Sequence, residues 1–291
     1  MQKTKVRYLK RYAVCAVLIL LVFIFFTKSS VCASGAKKGI YFCIDTVIPA
    51  VFPFAVICKL LVYSNAFYGR GIFFLGAVCS SPCCASIVCD MYKEGKINKK
   101  TAEALSSYTN NLTPTFVTGF AGSYALSSAY KGFLIYVICI FSSFLYGLLL
   151  KKDIKKACGE LSFFPSSFTK AVTEGGKSVI SVCGYVVFFS VICEFLSLYI
   201  SAPTTVFFIT SFLEVTTGTA NAAMIRGVIS ERLLFAVLSF FVSFTGICTQ
   251  LQVISQLHTS SLNCIPFVVG KAVQGILSFA ISYIVYGIIF G

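Results

Sequence analysis

Ser107-Tyr108-Thr109-Asn110-Asn111-Leu112-Thr113-Pro114 is a polar break inside an apolar run, and a second one, Leu213-Glu214-Val215-Thr216-Thr217-Gly218-Thr219, follows about a hundred residues later. Lipid offers no partner to a backbone N–H or C=O. A helix broken at membrane depth therefore persists only where protein or a water-filled cavity surrounds the break. Two such breaks in corresponding places point to the substrate site of a transporter built from two halves.

That reading requires the rest of the chain to be a membrane protein, and the composition agrees. Of 291 residues, 57% are hydrophobic and 12% charged, against about 25% charged in soluble domains. The apolar stretches are continuous rather than alternating, which favours helices over a β-barrel. The net charge of +14 is concentrated in short segments between apolar runs, where it sets orientation across the bilayer. No aromatic-basic module accompanies it, so nucleic acid is not an expected partner. The 14 cysteines are scattered among apolar residues and behave as small, weakly polar packing groups. Neither a metal site nor a disulfide framework is expected from them. With His258 as the single histidine, no paired-histidine metal motif is possible and no catalytic constellation stands out. There is no phosphate-binding Gly-x-x-x-x-Gly-Lys loop. No enzymatic activity and no cofactor are expected.

Along the chain, a basic start (Lys3, Lys5, Arg7, Lys10, Arg11) precedes an apolar run and the small residues Val31–Ala36. This reads as a retained signal-anchor rather than a cleaved signal peptide. The next span is expected over Gly39–Tyr63, and Gly71–Cys89 is broken by Ser80-Ser81-Pro82 as a re-entrant hairpin would be. Phe133–Leu150 is a clean span ending at the basic run Lys151–Lys156, a cytoplasmic stop signal. The division expected is 1–38 anchor helix and loop, 39–156 first half, 157–175 linker and 176–291 second half. Ala55-Val56-Ile57-Cys58-Lys59-Leu60-Leu61 matches Ser190-Val191-Ile192-Cys193-Glu194-Phe195-Leu196 at an offset of 135. Each half reads as span, interrupted hairpin, polar turn, broken helix, span. The fold class expected is an all-α polytopic membrane protein with two such repeats and about seven to nine membrane segments.

The candidate site residues follow from the breaks. Asn110, Asn111 and Thr113 precede Pro114, where a helix must end or kink. They either meet a carboxylate at the next helix start or merely cap it. Glu214, with Thr216 and Thr217, sits in the second break. An acid at membrane depth is a functional candidate, as the seat of a coupling proton or cation or as an ion-pair partner of Lys271 or Arg226. Lys271 is the candidate for substrate charge, or for that pair. Gln250 and Gln252 lie two apart, so one can line a cavity while the other packs. Lys59 and Glu194 occupy equivalent positions in the repeat and either meet near its axis or reach towards water from span ends.

These residues resemble a known family. Gly39–Phe54, with Ile48-Pro49-Ala50-Val51-Phe52-Pro53-Phe54 at its end, resembles the start of a nucleoside-recognition (Gate) domain, in particular that of the sporulation integral membrane protein YlbJ (stage V sporulation protein SpoVV) family. Thr109–Phe116 is similar to that family's Asn-containing motif, Leu213–Gly218 to its Leu-Glu-Val-Thr-x-Gly motif, and Cys248–Val253 with Gly270-Lys271 to its C-terminal signature. The resemblance covers about residues 39–290 in the right order. Ser80-Ser81-Pro82-Cys83-Cys84-Ala85 departs from the family's Gly-Tyr-Pro-x-Gly-Ala, and Lys59 stands where an acid is usual. The resemblance implies a membrane protein of sporulation, in the mother cell or outer forespore membrane, that moves a small anionic solute, dipicolinic acid. A scaffold without transport, or a carrier of another polar solute such as a nucleoside, is the alternative. An ionised Glu214 would repel a dianion and so is not expected to touch it.

Overall fold

The structure is a computed structural model that describes residues 2–64, 71–150 and 165–291, all-helical with no strand among them. Helix α1 spans Gln2–Thr27. Helices α2 (Ser29–Phe42) and α3 (Ile48–Tyr63) are joined by a π turn, Cys43–Val47, into one continuous run. Short helices α4 (Gly71–Val78) and α5 (Ser81–Lys93) follow, then α6 (Lys99–Tyr108), a second π segment (Phe116–Ala125) and α7 (Ala129–Leu149). The second run comprises α8 (Pro165–Tyr199), α9 (Pro203–Leu213), α10 (Val215–Ala222), α11 (Glu231–Phe244), α12 (Gly246–Thr259) and α13 (Ile265–Ile289). Among the described residues, five stretches are long and apolar enough to cross a membrane: Ser29–Tyr63, Ala129–Leu149, Ser167–Tyr199, Glu231–Thr259 and Ile265–Ile289.

Two boundaries differ from expectation. The helix expected from Gly39 begins at Ser29, and residues 165–175 of the expected linker are already helical. The small residues that resemble a cleavage site explain the first difference. A Cβ on Gly35 would lie 2.7 Å from Val191 Cα, and one on Gly39 2.7 Å from Val187 Cα. The Gly-x-x-x-Gly spacing thus lets α2 touch the backbone of α8, the usual means of close helix approach in lipid. The basic run Lys151–Lys156 and residues 157–164 lie outside the described residues.

The run α2–α3 lies antiparallel to α8. Lys38 Nζ meets both Glu194 carboxylate oxygens at 2.8 and 2.7 Å, and Lys59 meets Glu174 at 3.3 Å. Lys59 and Glu194 therefore do not pair with each other as one reading had them. Equivalent positions on antiparallel helices fall at opposite ends, so each reaches the start of the other long helix instead. About twenty residues, roughly 30 Å of helix, separate the two ion pairs, which is the thickness of a bilayer's hydrocarbon core. Lys59 also lies 3.2 Å from Ser86 and 3.7 Å from Asp90, so the end of α5 returns to the end of α3. In the second run α9 and α10 form a tight hairpin. Asn221 Nδ2 donates to Thr210 Oγ1 at 3.0 Å, and a Cβ on Gly218 would lie 2.2 Å from Ser211 Cα.

Candidate functional site

Four interruptions bring helix starts to the middle of the bundle: Ser80 before α5, residues 109–113 after α6, Glu214 before α10 and Thr245 before α12. A helix start presents unpaired N–H groups and a partial positive charge. The α5 and α12 starts have no side-chain cap. Thr113 Oγ1 accepts weakly from Phe116 N at 3.4 Å. At α10 the cap is Glu214 itself, whose carboxylate accepts from Thr216 N at 2.8 Å, Thr217 N at 2.6 Å and Thr217 Oγ1 at 2.8 Å. Thr245 has φ 68° and turns the chain sharply, which seats Gly246 3.2 Å from Val215 N were a Cβ present.

A cavity of about 40 Å³ lies among these starts, lined on its polar side by Ser80, Thr113, Glu214, Thr216, Thr249 and Gln252. By this measure one water needs about 10–15 Å³, so the space admits water. Gln252 reaches only Cys248 Sγ, at 3.7 Å, and its Oε1 has no partner among the described residues. The orphaned atoms Asn110 Oδ1, Ser81 Oγ and Ser211 Oγ belong to the same breaks. Buried polar atoms are nearly always paired. Of the orphaned atoms, Gln252 Oε1 belongs to the cavity lining, and a ligand's polar atom would complete it.

Beside the cavity is a second polar cluster. Lys271, fully buried, places Nζ 3.2 Å from Asn111 Oδ1 and 3.4 Å from Gln274 Oε1. Ser143 Oγ lies 2.8 Å from Asn111 Oδ1 and 2.9 Å from Gln274 Oε1. Gln274 Nε2 donates to Ser107 O at 2.7 Å. Gly270 admits this docking, since a Cβ there would stand 2.6 Å from Ser107 O. Lys271 has no carboxylate partner among the described residues.

The structure thus divides the residues singled out in the sequence. Thr113, Glu214, Thr216 and Gln252 line the cavity, with Thr217 bonded to Glu214 beside it. Asn111 and Lys271 form the neighbouring cluster, and Asn110 turns back to Ser106 O at 2.7 Å. Gln250 donates to Phe244 O at 3.0 Å and holds the end of α11. Glu214 pairs with neither Lys271 nor Arg226. Its oxygens are taken by its own helix start, and Arg226 bonds Ser127 and Tyr124 O instead. Ser80, Thr249, Ser143 and Gln274 were not among the site residues read from sequence. Gln274 was legible as the residue one turn beyond Lys271. Ser80 and Thr249 lie in segments that the sequence marks, a break and a motif, but neither stands out within them, and Ser143 carries no local signal.

No family model matches the chain, and no solved structure matches it. A comparison with known proteins finds the sporulation integral membrane protein YlbJ of Bacillus subtilis (strain 168), 20% identical over 305 aligned positions that cover 83% of this chain and 74% of that protein. The chain is a multi-pass membrane protein similar to this integral membrane protein of sporulation, the family that its ordered motifs resemble.

Proposed function

We propose that this chain is a transporter of a small anionic solute in sporulation, with dipicolinic acid the first solute to test. The observation that carries the reading is the convergence of four helix starts on a polar-lined cavity, where Gln252 Oε1 has no partner among the described residues. Breaks at membrane depth need a polar function to justify them. The order of elements supports two Gate-like halves, 39–156 and 176–291, of opposite direction. In each, a long helix is followed by two short helices, an interrupted helical stretch and a final helix. With α1, this reading takes about seven crossings and two hairpins, of which five crossings are long and apolar enough by length and composition. The end bearing Lys93, Lys96, Lys99 and Lys100 is then cytoplasmic, and the membrane is that of the mother cell around the forespore.

At about 40 Å³, the cavity is far below the roughly 300 Å³ of small-molecule sites. It is the closed form of a site that opens when the halves move apart. The free α5 and α12 starts would receive the solute's carboxylates, with Lys271 supplying positive charge nearby. Glu214 already neutralises the α10 start and keeps the anion away from it. No catalytic role is proposed for any residue.

The test is dipicolinate accumulation in forespores of a strain lacking its own YlbJ-type protein and complemented with this chain. Wild type and Gln252→Leu are compared at matched membrane abundance. Accumulation restored by wild type and lost in the variant is expected. A well-inserted wild type that restores nothing rejects dipicolinate transport and leaves another solute or a scaffold.

A further inference from the structure

Asp45 stands in the π turn between α2 and α3, inside the longest apolar run of the described chain. By helix rise it lies about 10 Å from the level of Lys38 and about 21 Å from that of Lys59, between the two ion pairs that bracket the bilayer. It is exposed, and it has neither a hydrogen bond nor an ion-pair partner among the described residues. A bare carboxylate at that depth is costly and marks a functional site. It opens on a crevice of about 340 Å³ between the two π segments, lined by Thr46, Pro49, Ala50, Thr115, Gly119 and Phe120.

The crevice is rich in oxygen acceptors and poor in donors. Pro49 lacks an N–H, so a carbonyl in the turn of Ile44 and Asp45 loses its helical donor. Pro53 removes in the same way the donor that would reach the Pro49 carbonyl. Thr115 Oγ1 gives its proton to Ala50 O at 3.1 Å, which leaves its lone pairs to accept. π turns recur at functional sites, and carbonyls released by broken helices coordinate coupling cations in transporters. Among the described residues no cation borders the crevice.

The geometry points to a binding site for a small alkali cation, of which Na⁺ is the probe, held by the Asp45 carboxylate, the released carbonyls and the Thr46 and Thr115 hydroxyls. It deepens the transport reading by placing a coupling cation about a third of the way through the bilayer, yet its test needs no transport. The purified full chain in detergent is heated in NaCl and in choline chloride at equal ionic strength. Unfolding is followed with a dye that reacts with thiols as buried cysteines emerge. Na⁺ should raise the wild-type midpoint by about 2–4 °C, Thr115→Val should reduce that rise, and Asp45→Asn should abolish it. Asp45→Asn should also fold as well as wild type in choline, because it removes an unpaired charge. No rise in wild type, or the same rise in Asp45→Asn, overturns the site. A rise that depends on Asp45 in a chain that restores no dipicolinate would keep the site and reject only the transported solute.

Discussion

The two central breaks solve one problem in two ways. At residues 109–113 the helix restarts from a neutral threonine, and the positive charge nearby is lent by Lys271 of α13. At Glu214 the helix restarts from its own carboxylate, which takes two backbone amides and a hydroxyl. Both buried charges at the centre therefore come from the second run of helices, and the first contributes only hydroxyls and amides. A scaffold whose element order repeats has become chemically one-sided. The second run sets the electrostatics, and the first supplies the uncharged wall against which a solute would bind.

The close packing of the two hairpins is where substitution should cost most. A Cβ on Gly218 would stand 2.2 Å from Ser211 Cα, and one on Gly76 2.4 Å from Thr109 O, both against backbone that cannot step aside. Each alanine variant should lose about 3 kcal/mol or more and give little monodisperse protein in size-exclusion chromatography. Gly184→Ala, where a Cβ meets nothing within 4 Å, should behave as wild type. Tolerance of Gly76→Ala alone would show that the first hairpin is the looser one.

Removing the caps tests the asymmetry itself. Glu214→Ala strands two buried amides and should cost about 2 kcal/mol, whereas Thr113→Ala loses one long bond and should cost about 1 kcal/mol or less. Thermal midpoints in detergent give the ranking. Equal costs would mean that the carboxylate is not what holds the second break.

Lys271→Met addresses the borrowed charge. Replacing a buried cation that has no counter-ion by an apolar side chain of similar length is neutral or stabilising. Ser143 has one proton to donate, so one of Asn111 Oδ1 and Gln274 Oε1 loses its donor. The relief of the buried charge and the lost hydrogen bond offset each other, so stability should stay within about 1 kcal/mol of wild type, while dipicolinate accumulation falls. A large loss of stability would assign Lys271 to the fold rather than to the solute.

Much of this arrangement is visible in the sequence because polarity inside an apolar run is costly. The breaks at Thr109–Pro114 and Glu214 and the interruption at Ser80 announce themselves by residues that lipid would reject. The motif glycines were legible as letters but not as causes. Gly218 and Gly270 make sense only once Ser211 and Ser107 are seen against them. Which side chains converge was not legible, because Ser143, Thr249 and Ser80 are ordinary residues made important by neighbours more than thirty positions away. The helix at Ser29–Phe42 was missed because its small residues mimic a processing site, when their smallness serves contact with α8.

The smallest expected effect separates equivalence in sequence from contact in space. Lys59 and Glu194 match each other in the repeat, yet Glu194 bonds Lys38 and Ser34, and Lys59 bonds Glu174. Lys38 is 59% exposed, so water screens its pair heavily. Glu194→Lys or Lys38→Glu alone should lower stability by about 0.5–1 kcal/mol. The double exchange Lys38→Glu with Glu194→Lys should return most of it, and Lys59→Glu with Glu194→Lys should return none. Thermal midpoints of the four variants decide the matter. Rescue by the Lys59 exchange would place the two equivalent residues side by side and make the long helices parallel, which would undo the opposed direction of the two halves on which the proposed site rests.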